Sequence, residues 1–225
     1  MKVGILFSGG KDSTMAVEYA MQKGYDIQYL LSIKPNRTDC YLYHYATVEH
    51  TKELAKILGY KHILKTCNVA NPEEEARIVK EVVHKNPVDA IILGGTGLQE
   101  TQVRSIQDAL KPLKVKAFAS HLGENHGLLF ENLVKKGYEI LISQVASDGL
   151  MPWLGRVITK DNFPELKRMS EKYGFHLGFE GGYADTLVLN APFFKKRLEI
   201  LDYQKVLEDK YSGHILIKNL KVVNK

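Results

Sequence analysis

Between Val3 and Leu93 the apolar residues fall into short unbroken runs, separated by stretches in which they recur every three or four positions. Unbroken runs of this length are strands buried on both faces, and the spaced stretches are helices with one apolar side. The pattern predicts strands over Val3–Phe7, Ile27–Ile33, His62–Leu64 and Asp89–Leu93. It predicts helices over Ser13–Lys23 and over Tyr45–Leu58, the second stopped by Gly59, with a polar, Pro-containing loop over Lys34–Asp39. Pro72 followed by Glu73, Glu74 and Glu75 predicts a helix start, where carboxylates suit the positive end of the helix dipole. Strand then helix, repeated, predicts an α/β fold with a parallel sheet covered on both faces.

The pattern continues with a helix around Gln102–Leu110, a strand near Val115–Phe118, a helix from about Leu128 to Lys136 and an apolar strand over Glu139–Val145. It then changes character. "ASDGLMPWLGR" is rich in turn residues, Phe163–Tyr173 reads as an amphipathic helix, and "GFEGGYADTLVLNAPFF" is a second glycine-bearing segment. Alternation in "RLEILDYQ" and "HILIKNLKV" predicts antiparallel strands of a smaller α+β region. A boundary is expected near Gly123, giving an N-terminal domain over residues 1–123 and a C-terminal one over residues 124–225.

Composition narrows the classes without naming one. With 225 residues, 44% hydrophobic and 25% charged, the chain can bury a core without disulfide or metal staples. Its net charge of +5 suits polyanions, but no dense Lys/Arg stripe marks a nucleic-acid face. Cys40 and Cys67 lack CxxC spacing, which argues against a disulfide framework and a cysteine zinc site. No apolar run approaches the ~18 residues of a membrane span, and the early glycines break any signal-peptide layout, so a cytoplasmic protein with no membrane contact is expected.

The chemistry concentrates where the first strand turns into the first helix, at "FSGGKDST". Gly9 and Gly10 allow positive φ and close approach of backbone to ligand, and Ser8, Lys11 and Ser13 bring donors that phosphate oxygens attract. A Walker A loop would need glycine and a hydroxyl residue where Ile5 and Asp12 stand, and a dinucleotide fingerprint would need G-x-G-x-x-G. What remains, Ser-Gly-Gly-Lys-Asp-Ser between a buried strand and a helix, resembles the loop of N-type ATP pyrophosphatases, which split ATP into AMP and pyrophosphate. On that resemblance Ser8, Gly9, Gly10, Lys11, Asp12 and Ser13 bind ATP, with backbone N–H groups forming a nest for the departing pyrophosphate and Lys11 neutralising its charge. Asp12 would repel phosphate directly, so it fits a ligand of Mg²⁺ or a helix-start residue. Adenine is expected at the end of the second strand, around Ser32 and Ile33.

Three further segments, "CYLYHYATVEHTKELAKILGY", "GLMPWLGRVI" and "EGGYADTLVLNAPFF", follow in this order. Together with the loop they resemble the diphthine–ammonia ligase family over nearly the whole chain. The resemblance implies a PP-loop α/β domain, HUP-like and Rossmann-like, followed by a smaller substrate-binding α+β domain. It implies ATP-dependent adenylation of the diphthine carboxylate of translation elongation factor two, and amidation by ammonia to give diphthamide. Tyr43 and His44 then match a substrate-binding Tyr-His pair, although His44 also fits a packed or solvated histidine at a helix start. Arg156 matches the arginine of Leu-Gly-Arg and could neutralise a phosphate or carboxylate, or sit in a surface ion pair. Glu180 could orient ammonia or take its proton, or be a turn carboxylate, with Gly181, Gly182 and Thr186 beside it. Arg104 matches an arginine that family members carry after the strand ending in Gly94. The chain departs from the family pattern at Glu100-Thr101, Ser120-His121-Leu122 and Tyr183-Ala184. Two alternatives therefore stay open: adenylation of another acceptor, such as a tRNA base, and a non-catalytic ATP- or AMP-binding module. A homodimer is compatible with the sequence, though no motif specifies one.

Overall fold

The computed structural model describes residues 1–35, 47–68, 71–95 and 100–225. These residues pack as two units: Met1–Ser8 with Asp12–Gly123, and Gly9–Lys11 with Glu124–Lys225.

The first unit is built on five parallel strands: β1 (Lys2–Leu6), β2 (Asp26–Pro35), β3 (His62–Cys67), β4 (Ala90–Leu93) and β5 (Lys116–Ala119). They lie in the order β3-β2-β1-β4-β5. From β1 the chain steps outward to β2 and β3 on one side, then crosses to β4 and β5 on the other, so the order reverses between β1 and β4. In open α/β sheets that reversal, at the carboxyl ends of the strands, is where ligands bind. The helices are α1 (Lys11–Gln22), α2 (Thr51–Leu58), α3 (Pro72–Lys85) and α4 (Glu100–Leu110). Along α3 the residues Ala76, Ile78, Val79, Val82 and Val83 share a face, and they pack with Ile106 and Leu110 of α4 against Leu31, Ile33, Ile91 and Leu93 of the sheet. Asn71 starts α3, its side-chain oxygen accepting the N–H of Glu74 at 2.6 Å, and Pro72 occupies a first-turn position that needs no donor.

The second unit is an antiparallel sheet with two helices, α5 (His126–Lys136) and α6 (Phe163–Tyr173). Its central strand β6 (Glu139–Ala146) pairs with β7 (Val157–Ile158), β8 (Ala184–Asn190) and β10 (Ser212–Asn224), and β9 (Lys196–Leu207) forms a long hairpin with β10. Phe130 of α5 stands edge-on to Phe163 of α6 at 5.3 Å between centroids, in an apolar core that takes in Trp153, Ile140, Leu187 and Phe194.

The predicted elements are present, and most differences lie at their ends; β7 and β8 are strands that the hydrophobic pattern does not predict, β8 lying within the second glycine-bearing segment. β2 and β3 pair as far as Pro35 and Cys67, so the strand predicted to stop at Leu64 runs three residues further and takes Lys34 and Pro35 out of the predicted loop. Of the helix predicted from Tyr45, residues 45–46 lie outside the described residues; Val48–His50 form a 3-10 turn and the α-helix begins at Thr51. Gly59 ends it in the left-handed conformation, with φ 79°. α5 begins earlier than predicted because Asn125 caps it, its Oδ1 accepting the N–H of Leu128 at 3.0 Å. Among the described residues no helix is long and apolar enough to cross a membrane.

Candidate functional site

The glycine corner follows the carboxyl end of β1, beside the reversal of strand order. Ser8 is tied across the turn by two contacts to Ser13: its N–H donates to Ser13 Oγ at 3.2 Å, and the two hydroxyls are 3.2 Å apart. Gly9 sits at φ 79°, a conformation that suits glycine. The end of β4 closes on the same backbone. A Cβ at Gly94 would come within 2.3 Å of the Asp12 carbonyl carbon and 2.4 Å of the Ser13 nitrogen, so only glycine fits there. Ser32 and Ile33 turn inward: Ser32 Oγ donates to the Phe7 carbonyl at 2.6 Å and lies 2.9 Å from His62 Nε2, while Ile33 belongs to the apolar core. Burial lowers the pKa of His62, opposed by the nearby Glu53 carboxylate.

Gly9, Gly10 and Lys11 pack within the second unit. The Lys11 N–H donates to Thr186 Oγ1 at 3.1 Å, and the Val188 N–H donates to the Gly9 carbonyl at 2.9 Å, so β8 holds the corner by its middle residues. The Lys11 ammonium lies 5.9 Å from the centroid of Phe130, and the residue is buried. Phe130 in turn packs on Phe179 at 5.5 Å, the residue before Glu180. Glu180 Oε1 is 2.8 Å from Nδ1 of His126, at the first turn of α5. The turn from Phe179 to Gly182 is unusual: Phe179 has φ 62°, Gly181 φ 100° and Gly182 φ 83°. Lys11, Thr186, Glu180, Gly181 and Gly182 thus belong to one packed unit.

Arg156 has other company. Its guanidinium lies 4.0 Å from the centre of the Trp153 ring and 3.2 Å from Glu165 at the start of α6. The two glycines flanking that segment are structural: a Cβ on Gly149 would meet the Tyr173 ring at 2.5 Å, and one on Gly155 the Tyr203 hydroxyl at 2.6 Å. Trp153 is buried and serves the core. Arg104 is exposed on α4 of the first unit. Tyr43 and His44 lie outside the described residues.

Three residues of consequence escape the sequence reading. His126 is a lone histidine near a helix start, and its partner Glu180 is distant in sequence. Gly94 is a single glycine after a strand. Glu75 stands in an acidic run that suggests a solvated helix start, yet only 3% of it is exposed and it accepts Gln102 Nε2 at 2.6 Å. Burial pushes its carboxyl up to about 7. The acidic run itself carries a signal, because position 75 falls on the same helical face as Ile78, Val79 and Val82.

Comparison with known proteins gives a consistent likeness over both units. Residues 1–117 match the family described as diphthamide synthase N-terminal domain, and residues 125–223 match diphthamide synthase C-terminal domain. The diphthine–ammonia ligase of Homo sapiens is 27% identical over 230 residues, covering 92% of this chain and 85% of that protein. The protein of the same name from Danio rerio is 25% identical over 222 residues, 89% of this chain and 86% of that one. The one from Schizosaccharomyces pombe is 25% identical over 225 residues, 92% of this chain but 37% of that protein.

Proposed function

Because the chain belongs to the diphthamide synthase family, we propose that it is an ATP-dependent amide-forming ligase that activates the diphthine carboxylate of elongation factor two and joins it to ammonia. The observation that carries this reading is the tie between Lys11 and Thr186 at 3.1 Å. It puts the cation of a phosphate-type corner in the same packed unit as the Glu180–Thr186 segment, which supplies a carboxylate for the second half-reaction.

The donors fit a nucleotide triphosphate. Ser8 and Ser13 offer hydroxyls, Lys11 an ammonium, and the start of α1 the positive end of its dipole. One nest donor is spoken for, since the Lys11 N–H goes to Thr186, so that residue contributes charge through its side chain. Lys11 neutralises negative charge growing on the leaving pyrophosphate as the α–β bond of ATP breaks. The Asp12 carboxylate is the group of this corner that would hold Mg²⁺, a cation that prefers oxygen ligands and that when bound would offset phosphate charge. Ser32 and Ile33 are buried side chains within β2, which runs on to Pro35, so they would meet adenine only through the backbone. Glu180 would orient ammonia toward the activated carboxyl carbon and accept its proton as the amide forms. Arg156, held over the Trp153 ring, would meet an acceptor carboxylate, and Arg104, Tyr43 and His44 remain substrate-binding candidates.

The test supplies the protein with diphthine-bearing elongation factor, ATP and ammonium chloride. AMP and pyrophosphate forming in step with diphthamide are expected. ADP and phosphate as sole products, or turnover indifferent to the elongation factor, would overturn the assignment.

A further inference from the structure

Glu180 is held more firmly than a turn carboxylate needs to be. Phe179 before it occupies the left-handed region at φ 62°, which a bulky side chain adopts only when its surroundings compel it, and two glycines with positive φ follow. Its own N–H donates to His176 Nδ1 at 3.3 Å. On the other side stands His126, 4% exposed, its Nδ1 2.8 Å from Glu180 Oε1. His126 cannot retreat: a Cβ on Gly178 would come within 2.7 Å of its carbonyl carbon, so the chain before Glu180 lies directly on its backbone. His126 and Phe130 are four residues apart on one face of α5, so the helix that meets Glu180 through its imidazole meets Lys11 through its aromatic ring.

We propose that His126 is a positioning residue that fixes the Glu180 carboxylate, engaging Oε1 so that Oε2 is presented to the amine nucleophile. This rests on the reading of Glu180 as the group that orients ammonia. A carboxylate on a glycine-rich turn would otherwise sample several rotamers, and one fixed oxygen turns a loose acceptor into a directed one. His126 itself touches neither nucleotide nor carboxyl carbon in this scheme and acts through Glu180.

The experiment uses the full chain and reads the two half-reactions separately: diphthine-dependent exchange of pyrophosphate into ATP, and amide formation against ammonium concentration. His126→Ala should leave exchange close to wild type while raising KM for ammonium about 10-fold or more, the scale of one close polar contact to a charged group. His126→Asn, whose side-chain nitrogen is carried on Cγ as Nδ1 is and can reach Oε1, should recover most of the loss. On a Glu180→Gln background His126→Ala should cost nothing further. Equal loss in both half-reactions, or a full additional loss on that background, would overturn the proposal. Should His126→Ala not fold, His126→Leu, which fills the space without a donor, takes its place. Should the wild type form no amide, the ligase reading fails, and crystal structures of wild type and variant decide this proposal alone: a displaced Glu180 carboxylate sustains it, an unmoved one refutes it.

Discussion

Replacing Glu75 with glutamine should stabilise the first unit at neutral and alkaline pH and leave it unchanged in acid. The carboxyl is 3% exposed between α3 and α4, and burial raises its pKa from the ordinary 4.5 to about 7, although the Gln102 amide at 2.6 Å favours the ionised form. Below pH 4.5 the group is protonated in both folded and unfolded chains and has no differential effect. As pH rises from 4.5 the unfolded chain releases its proton while the fold retains it, so stability falls, and the loss is complete above about 7. At ~1.4 kcal/mol for each tenfold change in proton affinity, the deficit at pH 8 comes to about 3 kcal/mol. Glutamine mimics the protonated carboxyl and avoids this loss. Urea unfolding of wild type and Glu75→Gln across pH 4 to 8 measures it, because the titration of every other group cancels in the difference. A gap growing from near zero to about 3 kcal/mol is expected. A gap independent of pH, or a variant weaker than wild type at pH 8, would refute the reasoning.

Two further substitutions probe the corner. Gly94→Ala should weaken ATP binding, read by calorimetry, with circular dichroism near wild type, because the new methyl must displace the Asp12–Ser13 backbone; overpacking of this kind costs about 1–3 kcal/mol. Thr186→Val keeps shape but leaves the Lys11 N–H without its acceptor, and should lower unfolding free energy by about 1–3 kcal/mol while raising KM for ATP.

The parallel sheet was readable because strands buried on both faces leave unbroken apolar runs, as in Ala90–Leu93, where every residue is buried. Ser8–Ser13 was readable because its chemistry is local: two glycines and three donors within six residues. What stayed hidden is set by partners far along the chain. Apolar spacing in α5 begins at Leu128, so Asn125 and His126 look like loop until Glu180 and the Leu128 N–H are seen beside them. Gly149 and Gly155 announce turns, but the tyrosine rings that forbid a side chain at each belong to α6 and β9. Glu75 is an intermediate case: its helical face was legible from the spacing to Ile78, Val79 and Val82, but its partner Gln102 lies on the next helix.

The assignment of Gly9–Lys11 to the second unit has a consequence for synthesis on the ribosome. The acceptor for the Lys11 N–H lies 175 residues downstream, and the Val188 N–H that holds Gly9 is made later still. At ~5–20 residues per second, the corner waits on the order of 10–35 s after its own synthesis before its anchors exist. During that interval a nascent chain can complete β1 through β5 and bury the core beneath α3 and α4, while Gly9 and Lys11 lack the contacts from β8 that hold them. A product truncated near residue 123 would carry the strands of the sheet without the residues that anchor Gly9 and Lys11.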